Sequence, residues 1–194
     1  MRKYPILALL FTLSVTSLMA QSGKISKEER IFLVNYLQTT QAELVTTVNE
    51  MSESDWHAKP ADDSWSPAEC MAHILMAEQA VFKQVKKALA SPAGTEDLKA
   101  RDGWLLSKIT DRGTKVKTPL PLVMNNSSKS EMLTAFKASR KNIYDFLANK
   151  KLPLRQHYGR SPYGKVDAYQ LLIVIAGHGM RHTNQILEGL ALVN

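Results

Sequence analysis

Apolar residues recur at helical spacing in four segments of the chain, and no stretch alternates as a half-buried strand would. In the first, Val34, Leu37, Leu44, Val45 and Val48 share one stripe. Ser26 precedes it with Glu29 three residues on, a capping box, so a helix is predicted from Ser26 to about Met51. The second carries a stronger start signal: Ser66 as N-cap, Pro67 at the first helical position and Glu69 closing the box. It runs to about Ala90, where Ser91-Pro92-Ala93-Gly94 stops it. A third covers roughly Lys129–Asn149 with Leu133, Phe136, Ile143, Tyr144 and Leu147 inward, and a fourth covers about Asp167–Leu192 with Asp167 as N-cap. Residues 91–128 contain Gly94, Gly103, Gly113, Pro119 and Pro121. A structureless connection of that length is unusual, so a short helical turn near Asp97–Ile109 and an extended piece around Thr118–Val123 are expected within it. The pattern predicts an all-α fold: a four-helix bundle around one core, with a long connection between the second and third helices.

The first twenty residues read differently. Arg2 and Lys3 are positive, Ile6 to Val15 is apolar apart from Thr12 and Ser14, and Leu18-Met19-Ala20 places a small residue before Gln21. This is the pattern of a secretory signal peptide cleaved after Ala20, which predicts a periplasmic or secreted protein. The alternative, an uncleaved anchor, is disfavoured because the apolar run is short for a membrane span and charged Lys24, Lys27, Glu28, Glu29 and Arg30 follow soon after. No cysteine follows the run, so a lipid anchor is not indicated. Residues 21–194 then form one domain, long enough for a single well-filled core and too short for two sizeable ones.

Charge narrows the partners. The net charge of +7 falls to +5 when Arg2 and Lys3 leave, and the remaining lysines are scattered rather than blocked or interleaved with aromatics. That argues for ordinary solubility charge and against a nucleic-acid surface. Cys70 is the only cysteine, so no internal disulfide can form.

The candidate chemistry lies in three histidines. His178 and His182 are one helical turn apart, in the stripe of Leu171, Val174, Ile175 and Ile186, which faces the bundle interior. His73 lies on the second helix beside the small residues Ala77 and Ala80. Two imidazoles from one helix and a third from another can hold a divalent cation, Zn²⁺ or Ni²⁺ foremost, with a coordination position left open. Gly177 and Gly179 flank His178, although glycine inside a helix costs roughly 1 kcal/mol against alanine. A close approach by another group would account for them. The segment between the paired histidines is Gly179-Met180-Arg181, so the HExxH pattern that carries its own general base is absent. Hydrogen-bonded core histidines are the competing interpretation.

Trp65-Ser66-Pro67-Ala68-Glu69 leading to His73, the turn Tyr163-Gly164-Lys165, and His178-Gly-Met-Arg-His182 followed by Gln185-Ile186 together resemble the DinB-like (damage-inducible) superfamily. The resemblance extends from about Ser26 to Leu190. It implies a four-helix bundle with a long second connection and a divalent metal held by His73, His178 and His182. Members of that superfamily include thiol-dependent transferases and isomerases, metal-dependent hydrolases, and many proteins of no known activity. The low-molecular-weight thiols are cytosolic, so predicted export argues against a thiol cosubstrate here.

Several other residues carry weaker signals. Glu78 (with Ile74, Val81, Phe82 and Val85) and Arg140 sit on apolar stripes, and are expected either to pair with each other or to line the pocket. Cys70 reads as a buried filler more readily than as a ligand or nucleophile. Glu69 is either the cap of its helix or a carboxylate supporting His73. His57 and His157 fall in predicted loops. Arg155, Arg160 and Tyr163 belong to a loop that can border the site, and Trp56 and Trp65 are expected to pack the corner between the first two helices. Three functions remain open at this point. One is an exported metal-dependent hydrolase or transferase acting on a small molecule, with no general base identified. Another is a non-catalytic metal- or ligand-binding bundle, in which an exposed apolar face allows a homodimer. The last is a purely structural bundle.

Overall fold

The structure, a computed structural model, describes residues 23–114 and 127–193. The signal-peptide segment and the extended piece expected at Thr118–Val123 lie outside the described residues. Four long helices form the bundle: α1 (Lys27–Glu50), α3 (Pro67–Leu89), α5 (Lys129–Leu147) and α6 (Ala168–Val193). Two short helices, α2 (Glu53–His57) and α4 (Asp102–Thr110), and a hairpin of β1 (Tyr158–Ser161) with β2 (Gly164–Asp167) complete the described residues. The α4 helix, led by a 3₁₀ turn at Lys99–Arg101, supplies the helical turn expected in the long connection.

The helix starts follow from local chemistry. Ser26, Ser52, Ser66 and Ser128 each cap a helix, and in every case the carboxylate three residues on returns a bond to the cap backbone. Each box satisfies amide groups that a helix N-terminus would otherwise leave without partners. The start of α6 uses the same device with an amide: Asp167 Oδ1 accepts from the Gln170 N–H at 2.7 Å, and Gln170 Oε1 accepts from the Asp167 N–H at 3.1 Å.

Within the bundle, α6 packs on α1, α3 and α4, and α5 packs on α1 and α3. The first two long helices, α1 and α3, therefore sit across the bundle from each other, both touching α6. This arrangement brings His73 of α3 to the paired histidines of α6. The core divides into two apolar clusters. One gathers Leu33, Leu37, Ile143, Tyr169 and Leu172; the other gathers Leu44, Val48, Met71, Phe136 and Ile186. Between them in sequence on each helix come Thr40, Glu78 and Arg140, all buried, so a polar layer splits the core. There Arg140 Nε donates to Glu78 Oε2 at 2.7 Å, and Nη1 donates to the Leu37 carbonyl at 3.1 Å and to Thr40 Oγ1 at 3.3 Å.

The sequence reading contained no strand, and the hairpin corrects it. Its register pairs Tyr158 with Asp167 and Ser161 with Gly164, leaving Pro162 and Tyr163 at the turn. Proline presets one turn dihedral, and Gly164 adopts φ +99°, where a side chain would be strained. The strands are too short, and too rich in glycine and charge, to alternate visibly. Arg155, expected near the site, instead ties the hairpin to the bundle. It bonds Glu29 of α1 at 2.7 Å, Asp102 of α4, and Asp167 at 3.0 Å, while its guanidinium lies 3.9 Å from the Tyr169 ring centroid. Arg160 is exposed on β1. No described helix is long and apolar enough to cross a membrane.

Candidate metal centre

His73, His178 and His182 meet. His178 Nε2 lies 3.1 Å from His73 Nε2 and 3.2 Å from His182 Nε2, and one donor atom from each residue falls within 4.8 Å of the others. Local helix geometry explains half of this, since His178 and His182 project from one face of α6. Packing of α3 on α6 supplies His73. The flanking glycine makes room: a Cβ at Gly177 would stand 2.8 Å from Ile109 Cγ2, so only glycine lets α4 approach α6 there. At Gly179 the nearby group is the Arg140 guanidinium, whose Nη2 would lie 3.1 Å from a Cβ.

Burial sets the protonation state. His73 and His182 are buried and His178 is half-buried. Burial lowers all three imidazoles from their ordinary range, and the nearby His73 and Arg181 charges push further at His178, which falls to about 3. At neutral pH all three rings are uncharged, and each offers a lone pair. His182 Nδ1 faces Gln185 Oε1 at 2.9 Å, so it carries the proton and leaves Nε2 bare. His178 Nε2 then faces two nitrogens, and one proton can serve only one of those contacts. His73 Nδ1 is buried without a partner. The cluster is thus short of donors at its centre, a deficit that a cation relieves. The two contacts of His178 fit a shared ion: nitrogens 3.1–3.2 Å apart, each about 2.0–2.1 Å from an ion, subtend roughly 100°, and the three donor atoms together lie within 4.8 Å of one another.

Neighbouring side chains are arranged differently from several expectations. Trp65 does not simply fill the helix corner: its ring lies 4.9 Å from the His73 ring and is stacked 6.0 Å from the His182 ring, forming a wall of the site. A small cleft beside it is lined by Pro60, Trp65, Gln185, Ile186 and Gly189. Trp56 is buried in the second apolar cluster. Glu69 does not support His73; it bonds the Ser66 N–H at 2.7 Å and Lys59 Nζ at 2.9 Å, because capping is the nearer demand on its carboxylate. Glu78 and Arg140 spend their charges on each other in the polar layer rather than on a pocket. Tyr163 is also removed from the expected role: it packs against the first cluster near Arg181 and Asp111, and its carbonyl accepts from Arg101. Cys70 is buried, its thiol pushed up to about 12 by that burial, and it is not among the ligating group. His57 is exposed, and His157 Nδ1 contacts the Ser91 carbonyl at 2.9 Å. Gln185 and Arg112 carried no separate expectation. The one-turn spacing of Gln185 from His182 is a visible signal, whereas nothing near Arg112 in the sequence points to the site.

The DinB superfamily model matches residues 36–186, which include all three histidines. The chain belongs to the DinB superfamily. YfiT from Bacillus subtilis, described as a probable metal-dependent hydrolase with an unusual four-helix bundle topology, is structurally similar. It aligns with a TM-score of 0.59 at 16% identity, over 86% of this DinB chain and 89% of its own. That likeness establishes the shared fold. No curated protein matches the sequence.

Proposed function

We propose that this DinB protein is an exported, divalent-metal-dependent hydrolase acting on a small molecule. The carrying observation is the meeting of three uncharged imidazoles from two helices, with one donor atom of each within 4.8 Å of the others. His73, His178 and His182 would hold the ion through Nε2. Three protein ligands leave an open position, as in catalytic rather than structural sites. A divalent ion there supplies Lewis acidity, polarising a substrate carbonyl or making coordinated water acidic near neutral pH. The chain's own residues do the rest. Burial keeps the rings uncharged, Gln185 holds the His182 proton away from the centre, and Trp65 walls the site with an apolar face. YfiT, of the same fold, is itself described as a probable metal-dependent hydrolase, which supports the reading. Zn²⁺ or Ni²⁺ suits an all-imidazole donor set. Export is supported by the charged, apolar and small-residue order of residues 1–20.

Elemental analysis of mature protein purified without a polyhistidine tag tests the metal, beside His73→Ala and His182→Ala. One equivalent of metal in the wild type, lost in both variants with helicity retained, is expected. Ester and amide substrates are then assayed with metal added and removed. Metal-free wild type, or hydrolysis indifferent to chelation, would overturn the proposal. N-terminal sequencing of the protein from the producing cell tests export, which predicts a start at Gln21.

A further inference from the structure

The chain of polar contacts behind His182 reaches the surface. Arg112, just after α4, donates through Nη2 and Nε to Glu188 Oε2 at 2.9 Å and 3.1 Å, and through Nη1 to Gln185 Oε1 at 3.4 Å. The same Gln185 oxygen faces His182 Nδ1 at 2.9 Å. A guanidinium can only donate hydrogen bonds. The Gln185 atom turned toward Arg112 is therefore the carbonyl oxygen, since an amide NH₂ there would set donor against donor. An imidazole nitrogen that faces a carbonyl oxygen must in turn carry a hydrogen. His182 is thereby placed in the Nδ1–H form, and its Nε2 lone pair points at the histidine cluster. Orientation passes inward along Glu188, Arg112, Gln185 and His182. His73 has no such support, because its Nδ1 is buried without a partner.

We propose that Arg112 and Gln185 are positioning residues that lock His182 in the tautomer whose Nε2 ligates a divalent cation. The ligating clause rests on the function proposed above; the tautomer lock does not. Two measurements on the full mature chain separate them. Long-range proton–nitrogen spectra of ¹⁵N-labelled, chelator-treated protein report the His182 tautomer without metal. Competition against a chromophoric chelator reports Zn²⁺ affinity. Wild type is expected to show the Nδ1–H form alone. Gln185→Leu should populate both tautomers and bind Zn²⁺ about 10–100-fold more weakly, the usual loss when an outer partner of a ligating histidine is removed. Gln185→Glu, which keeps an acceptor, should retain the wild-type tautomer. Arg112→Met lies nearer the surface, serves if Gln185→Leu fails to fold, and should move both readouts in the same direction by less. An Nε2–H tautomer in the wild type overturns the proposal. So does a Gln185→Leu variant, or Arg112→Met in its place, with unchanged tautomer and Zn²⁺ affinity within about twofold. A locked tautomer in a wild type that takes no Zn²⁺ overturns the ligating clause, and the metal reading with it.

Discussion

Arg140→Met is the substitution whose effect the structure determines most directly. The Arg140 side chain is 0% exposed and that of Glu78 2%, with 2.7 Å between Nε and Oε2. Methionine fills much of the same volume but removes the cation, together with the donors to the Leu37 carbonyl and Thr40. What remains is a carboxylate between two apolar clusters. Breaking such a pair by removing one partner costs about 3–5 kcal/mol, because the surviving charge is left uncompensated. A domain of this size loses about 2–4 °C of Tm per kcal/mol, so the expected fall is roughly 6–20 °C. The cost should depend on pH in a set direction. Burial already raises the Glu78 carboxyl in the wild type, against the opposing pull of Arg140. Without that arginine it rises further. A folded-state pKa above the unfolded one means stability is fully present below the unfolded value of about 4.3 and is lost as pH rises through the folded value. Arg140→Met should therefore approach wild-type stability toward pH 4 and diverge from it toward pH 7. Removing both charges, Glu78→Leu with Arg140→Met, should recover most of the loss, since well-packed apolar replacements of buried pairs are often neutral or stabilising. Differential scanning calorimetry across that pH range decides the matter. A single variant within about 1 kcal/mol of wild type at pH 7 would refute the reasoning, as would a double variant no better than the single one.

Two further outcomes test the packing and the electrostatics. Gly177→Ala places a methyl group 2.8 Å from Ile109 Cγ2; the crowding costs about 1–3 kcal/mol against the roughly 1 kcal/mol of helix propensity gained, so the net change runs from nil to a loss of about 2 kcal/mol, Tm should not rise, and Ile109→Ala in the same chain should cancel the crowding share. Asp167 is raised to about 6, burial outweighing the stabilising Arg155 charge, so its ionisation should erode stability as pH rises from about 4 through 6. Against Asp167→Asn, the wild type should lose relative Tm over that interval, and a constant difference between the two would contradict the assignment.

Local order was legible because it is local. The caps at Ser26 and Ser66 answer to carboxylates three residues away, Asp167 caps the last helix, and the apolar stripes repeat at the period of the helix, so the four long helices could be read from local pattern. The pairing of His178 with His182 on one face follows from the same period. The hairpin was not legible: its four-residue strands contain Gly159 and Gly164 and have no apolar alternation, and they exist because Arg155 and the α6 cap anchor them. Glu69 shows two legitimate demands on one side chain, and the nearer backbone amide prevailed. Contacts that span the chain belong to tertiary structure alone. That His73 reaches His178, that Glu78 and Arg140 divide the core, and that Arg112 bonds Gln185 all depend on which helices are neighbours around the bundle. Periodicity states which face of a helix turns inward. Only the packing of all the helices together, which favours arrangements that pair buried charges and polar groups, decides what that face meets.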